Sequence, residues 1–277
     1  MVGIFLLSAL AVSGISSLDD KPIYENPLAY VRSPECGLFL KASTYRGAKL
    51  KYLDAQIGRV VPIVHFQQQD IQLGLEAATW AVLGYHKGAF PLITQDFLIS
   101  VPLMFRFYSF SGAIKFSHIS SHRGDGFDLL WDKTLTPEEK QKIEMVERQE
   151  KISIMPPVQN YSRDFISGEI AQEIEFRSLK VKSYIQLAHI HKTIPHNLGR
   201  WFGGNGIELR YSNFYLAEDI HYYQDTETFD FAVQTGWLVS GDFAETRFCI
   251  IGYHGSDRRG QFLGRQMNEL GIGIFIR

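Results

Sequence analysis

The chain contains 277 residues with a mass of 31.6 kDa, and its 28 Lys and Arg residues oppose 30 Asp and Glu residues. This balance gives a formal charge of −2, which excludes the basic surface that nucleic-acid phosphates require. Hydrophobic residues make up 45% of the chain and aromatic residues 13%, which excludes a disordered protein.

The amino terminus has the composition of a signal peptide. An apolar run from Val2 to Val12 is followed by small residues, and the run is too short to span a bilayer. We therefore predict a signal peptide over residues 1–18, with a buried amino-terminal helix as the alternative. Residues 19–56 contain three prolines and show no clear alternation, which predicts an irregular lead-in.

Apolar residues at every second position characterise the chain from residue 57 to residue 277. The odd positions from Phe97 to Phe107 are all apolar, whereas the even positions include Asp96 and Arg106. A period of two is that of a β-strand. The same period recurs in segments 71–77, 207–212, 229–237 and 272–276. Counting such runs predicts about ten to twelve strands.

Two architectures produce this alternation, a soluble β-sandwich and a membrane β-barrel. Three features favour the barrel: strands of nine residues or more, aromatic residues near strand ends, and opposite charges mixed on the less apolar face of the strands. We therefore predict an all-β fold, an antiparallel membrane β-barrel in the bacterial outer membrane, with the soluble β fold as the alternative. The polar residues predicted to face the lumen are Glu76, Arg106, Lys115, Glu245 and Arg247.

Local signals predict the connections between strands. Thr136 and Pro137 begin a charged segment with helical features, so we predict one short helix in a long loop over residues 132–158. The Asn205-Gly206 pair predicts a hairpin turn, and Ser109 marks a second tight reversal.

The run FSGAIKFSHISSHRGDGF, residues 110–127, carries the candidate chemistry. His118 and Ser120 lie on one face of a strand, as a base and its nucleophile could. An alternative is that the polar residues of this run hydrogen-bond one another and hold the end of the strand. The members of this motif are His118, Ser120, Ser121, His122, Gly124 and Asp125.

Metal and cofactor sites are not predicted. His118 and His122 would be about 13 Å apart along a strand, too far to share one ion. Cys36 and Cys249 form no CxxC pair, and the chain has no phosphate-binding glycine loop. We therefore expect no metal, no cofactor and no nucleotide partner.

The sequence resembles an uncharacterised domain-of-unknown-function family of bacterial outer-membrane-type β-barrel proteins. The resemblance runs from Gln72 to Phe127 and includes the GIGIFIR carboxy terminus; the family has a His-x-Ser-Ser-His-x-Gly-Asp-Glu-Phe motif. This sequence departs from that motif at Gly126, where an acidic residue is usual. The resemblance implies a β-barrel and no particular activity.

A His-x-Ser pair on an outward-facing barrel strand also resembles outer-membrane phospholipase A and the lipid A deacylases. Those enzymes hydrolyse acyl esters with a serine nucleophile, a histidine base and a polar or acidic orienting residue. The resemblance implies that His118 takes the proton of Ser120 and that Asp125 or Asp164 orients the imidazole.

Three hypotheses about function follow. The first is a structural outer-membrane barrel or a narrow, plugged passage, and the second is a membrane-embedded acyl-ester hydrolase. The third is a soluble exported β protein with a ligand cavity. The first two imply membrane lipid as a partner, and none of the three implies nucleic acid.

Overall fold

The computed structural model describes residues 21–45, 48–66, 70–85, 88–126, 161–194, 200–241, 244–257 and 266–277, with Pro137 and Arg259 as single positions. Within these ranges the chain forms twelve β-strands. They are β1 (Cys36–Tyr45), β2 (Ala48–Phe66), β3 (Ile71–Gly84), β4 (Leu92–Phe107), β5 (Phe110–Arg123), β6 (Tyr161–Phe176), β7 (Leu179–Ile194), β8 (Trp201–Tyr211), β9 (Phe214–Tyr223), β10 (Thr228–Ser240), β11 (Glu245–Ser256) and β12 (Gln266–Ile276).

The strands close into a single antiparallel barrel. Each strand pairs with its neighbours in sequence, and β1 closes the barrel by pairing with β12, Cys36 lying opposite Ile276. Closure leaves no strand edge with unpaired backbone groups, which is the condition for a sheet to cross a bilayer. The predicted all-β antiparallel barrel of ten to twelve strands is confirmed, and the sandwich alternative is wrong.

The apolar face of each strand points out of the barrel. In β4, Ile99 is 59% exposed whereas the neighbouring Ser100 is buried, and on β10 Trp237 is 61% exposed. Exposing apolar surface to water costs roughly 25 cal/mol per Å². The exposed apolar side chains around the outside of the barrel are therefore suited to contact with hydrocarbon. The polar face of each strand points into the lumen.

The barrel begins earlier in the chain than the sequence predicted. Residues 36–56, expected to be irregular, form β1 and the first part of β2, so the barrel starts at Cys36 and not at residue 57. The alternation is obscured there because Phe39 and Tyr52 are aromatic but point into the lumen, where both are buried. Residues 21–35 contain no strand and lie inside the barrel.

One of the two predicted turns is correct. Tyr108 and Ser109 join β4 to β5, and Tyr108 has the left-handed φ of 53° that such a turn requires. The predicted turn at Asn205-Gly206 is wrong, because both residues lie within β8. Gly206 is needed there for close packing, since a Cβ at this position would overlap the hydroxyl of Tyr184.

The two ends of the barrel differ in the length of their connections. Two-residue turns join β4 to β5, β6 to β7 and β8 to β9 at one end, whereas β5 and β6 are joined by residues 124–160 at the other. We call the end where β5 finishes and β6 begins the long-loop rim. In outer-membrane barrels short turns face the periplasm and long loops face outward.

Two predictions fall outside the described residues. The signal peptide over residues 1–18 is one, and the helical loop over residues 132–158 is the other, apart from Pro137. Across the described ranges, no helix combines the length and the hydropathy needed to cross a membrane.

Candidate functional site

His118 and Ser120 lie together on the outer surface of the barrel. Along β5 the odd positions Ser117 and Ser121 are buried in the lumen, so the even positions face outward. The side chain of His118 is 49% exposed, and Ser120 is half-buried. Alternate residues of a strand are about 7 Å apart, so His118 and Ser120 are successive residues on the outer face of β5.

The imidazole of His118 is hydrogen-bonded to a carboxylate on the next strand. His118 lies directly opposite Asp164 in the pairing of β5 with β6, and its Nδ1 is 2.5 Å from Asp164 Oδ1. A carboxylate can only accept, so Nδ1 carries the hydrogen and donates it to Asp164. In the neutral imidazole the second ring nitrogen, Nε2, is then the acceptor. This is the tautomer that a general base for a serine requires.

Asp125, proposed from the sequence as the third member, does not lie beside His118. It is exposed in the turn that follows β5. The end of β5 at Arg123 is five residues beyond His118, about 17 Å along the strand. Asp164, the other carboxylate that the enzyme resemblance allowed, is the one that contacts His118.

The remaining motif residues do not join one cluster with His118. Ser121 points into the lumen and donates a hydrogen bond to Asp96. His122 faces outward with its ring against Phe97, the centroids 5.6 Å apart. Gly124 lies where a Cβ would overlap the backbone carbonyl of Leu92. Ser121 lies on the opposite face of β5 from His118, Ser120 and His122, so the motif does not form one hydrogen-bonded group.

The site lies close to the long-loop rim. Ser120 is three residues from the end of β5, and Asp164 is three residues after the start of β6 at Tyr161. Near its ends a membrane-spanning barrel strand passes from the hydrocarbon into the headgroup layer. The acyl esters of membrane lipids lie at the same boundary.

Inside the lumen, the predicted residues Glu76, Lys115 and Arg247 are buried. Lys115 Nζ is 3.4 Å from Glu76 Oε1 and 3.2 Å from Glu169 Oε2. Charges of opposite sign on β3, β5 and β6 thus compensate one another inside the lumen, as burial requires.

Arg106, Glu245 and Arg247 have partners that the sequence did not indicate. Arg247 pairs with Glu35, and Arg106 donates a 2.7 Å hydrogen bond to the carbonyl of Ile23. Glu245 begins β11, where its backbone bonds to that of Arg277. The predicted pairing of lumen charges among the strands is therefore incomplete, because part of it comes from the amino-terminal segment.

Residues 21–35, which we call the N-terminal plug, fill the lumen. The side chain of Asn26 donates to Glu76 over 3.1 Å, and Arg32 is 2.5 Å from Asp96. A twelve-stranded barrel is wider than the eight-stranded barrels that side chains alone can fill, so additional chain is needed inside.

A further ion pair lies at the mouth of the barrel. Arg277 is 3.3 Å from Glu25 of the plug, and its positive charge lowers the pKa of the Glu25 carboxyl from its ordinary value. This pair holds the plug to the carboxy-terminal end of the chain.

The lumen leaves little room for a ligand. Two cavities lined by described residues of the lumen have volumes of about 80 and 50 Å³, against the several hundred Å³ of a typical small-molecule site. In the part of the chain that the structure describes, no group of three His, Cys, Asp or Glu residues is arranged to hold a metal ion.

No protein-family model matches this chain, and no curated protein sequence matches it. Membership of the domain-of-unknown-function family therefore remains a prediction. Solved structures do match. The fold is that of an outer-membrane-type β-barrel.

Two of these structures are outer-membrane phospholipases. Outer membrane phospholipase A from Escherichia coli superposes with a TM-score of 0.59 at 10% identity, covering 92% of this chain and 94% of that one. The outer membrane phospholipase of Salmonella typhi, solved as a dimer with bound calcium, gives 0.60 at 12% identity, covering 93% and 94%. At this identity the likeness establishes the fold alone.

Proposed function

We propose that this chain is an outer-membrane hydrolase that cleaves acyl esters of membrane lipids. Ser120 is the nucleophile, His118 the general base, and Asp164 the residue that orients the imidazole. The observation that carries the proposal is the 2.5 Å hydrogen bond from His118 Nδ1 to Asp164 Oδ1 on the outer surface, with Ser120 two residues away on the same face.

The reaction follows from these positions. His118 Nε2 takes the proton of Ser120 as its Oγ attacks the ester carbonyl carbon, and Asp164 stabilises the resulting imidazolium. The tetrahedral intermediate collapses when His118 returns the proton to the departing alcohol, which leaves an acyl group on Ser120. Water, deprotonated by His118, then attacks the acyl-serine. Fatty acid leaves and Ser120 recovers its proton.

The surroundings of the site favour lipid as the substrate. Phe116 and Ile99 flank His118 on the outer face, and both are exposed. An acyl chain lying in the bilayer can therefore reach Ser120 from the side. The two phospholipases that share the fold are consistent with this proposal.

Replacement of Ser120 tests the proposal. We expect the Ser120→Ala protein to lose roughly a thousandfold or more of the hydrolysis rate in detergent-dispersed phospholipid or lipid A, because the nucleophile is gone. Ser183→Ala is the matched control, since Ser183 is an exposed residue of β7 far from His118, and its rate should be unchanged. An equal rate in the Ser120→Ala protein, with heat-dependent gel mobility intact, would exclude the proposed function.

The alternative is a structural barrel without catalytic activity. The observation in its favour is the N-terminal plug, since residues 21–35 occupy the space through which solutes would pass. A closed lumen is compatible with the hydrolase as well, because its site is on the outside. The lipid-hydrolysis assay therefore distinguishes the two functions.

A further inference from the structure

A β-bulge interrupts the pairing of β6 with β7 beside the candidate site. Asp164 lies opposite Lys192, but the next residue, Phe165, lies opposite Ile190, so His191 is the additional residue. Bulges change the direction in which side chains point, and they are frequent next to active sites. This bulge changes which residues of β7 lie next to Asp164.

The consequence is that two basic side chains share the outer surface with His118. Lys192 is exposed and faces outward, because directly opposite residues of an antiparallel pair lie on the same side as each other. His191 is exposed too, and its ring stacks on that of Phe116 with the centroids 5.6 Å apart.

Lys192 lies near the long-loop rim, where we expect the lipid headgroups. It is two residues from the end of β7 at the long-loop rim, and β7 is two strand spacings, about 10 Å, from β5 and Ser120. A lysine side chain can run along an apolar surface and extend its ammonium into the headgroup layer.

We propose that Lys192, set in place by the His191 bulge, binds the phosphate of the lipid whose ester Ser120 attacks. The substrate class is then a phosphorylated acyl lipid, and Lys192 determines specificity without taking part in the chemistry; this inference rests on the proposed hydrolase function. An ammonium group is a strong partner for phosphate, and the distance between the two residues leaves room for the lipid backbone that joins phosphate to ester.

Kinetics of a Lys192→Gln variant test the inference. Rates are measured in detergent micelles with a short-chain phosphatidylglycerol, a phosphorylated acyl-glucosamine and a neutral diacylglycerol. We expect KM for a phosphorylated substrate to rise about tenfold, the equivalent of one charge-assisted hydrogen bond. An effect that instead acts through the neighbouring Asp164 would change the hydrolysis of diacylglycerol equally. The phosphorylated substrate whose KM rises, phosphatidylglycerol or the acyl-glucosamine, shows which of the two kinds of lipid the site binds.

Lys180→Gln is the matched control, since Lys180 is an exposed lysine at the opposite end of β7, and it should leave every KM unchanged. An unchanged KM of the Lys192→Gln protein for both phosphorylated lipids would overturn the inference and leave the hydrolase intact.

A binding measurement separates this inference from the proposed function. The Ser120→Ala protein, with and without Lys192→Gln, is titrated calorimetrically with the same short-chain lipids. If the unmodified protein hydrolyses nothing, a tenfold loss of affinity for a phosphorylated lipid on replacing Lys192 still supports the phosphate site. Equal affinities in that case would exclude the phosphate site together with the hydrolase.

Discussion

In the proposed hydrolase, the carboxylate of Asp164 determines which nitrogen of His118 is free to act as a base. We expect Asp164→Ala to lower kcat roughly 100- to 10,000-fold, because the imidazole loses both its tautomer and its orientation. The measurement is steady-state hydrolysis of a lipid ester in detergent. Asp125→Ala is the control, since Asp125 is exposed in the turn after β5, and its kcat should match that of the unmodified protein. A larger loss from Asp125→Ala than from Asp164→Ala would show that the orienting residue has been misassigned.

At the scale of residues, the sequence was sufficient to place His118 and Ser120 on one outward face, because a strand alternates its side chains with a fixed period of two. It was not sufficient to choose between Asp125 and Asp164. That choice depends on the register of β5 against β6, and the two strands are separated by residues 124–160. Alternation within a strand carries no information about which residue of the next strand lies opposite.

The packing of strand β8 depends on glycine at position 206. We expect Gly206→Ala to lower the free energy of unfolding by about 1 to 3 kcal/mol, because its Cβ would overlap the Tyr184 hydroxyl and the backbone carbonyl of Glu218. Gly168→Ala is the control, as a Cβ at Gly168 meets nothing within 4 Å. Urea unfolding followed by gel mobility measures both. Equal stability of the two variants would show that β8 can move away from Tyr184.

At the scale of elements, the long strands were predictable because their alternation is regular, but β1 and the first half of β8 were not. The lumen of this barrel accepts aromatic side chains such as Phe39, so an inward position is not always polar and the pattern of β1 is lost. In β8 the Asn205-Gly206 pair has the composition of a turn, but its glycine serves close approach to Tyr184. Tertiary packing, which local sequence does not report, decided both cases.

The whole molecule is a barrel whose lumen is closed by its own chain. The plug is attached at several heights: the backbone N–H of Leu28 donates to Glu208 over 2.8 Å, and Lys182 donates to the carbonyl of Glu25 over 2.7 Å. The fold class followed from composition and alternation. The position of the plug could not be predicted in this way, because an irregular segment has no periodicity that relates it to the strands it contacts.

Removal of the plug should convert the closed barrel into a passage. We expect a chain lacking residues 21–35 to conduct ions across a planar lipid bilayer, whereas the intact chain passes little current, because no strand is removed and the lumen loses its filling. Heat-dependent gel mobility shows whether the shortened barrel is folded. A milder variant, Arg32→Gln with Glu35→Gln, weakens the ion pairs to Asp96 and Arg247 and should give brief, intermittent openings. A folded but silent shortened barrel would mean that the side chains of the strands close the lumen unaided. Lipid hydrolysis should persist in both variants, since Ser120, His118 and Asp164 lie on the opposite side of the barrel wall.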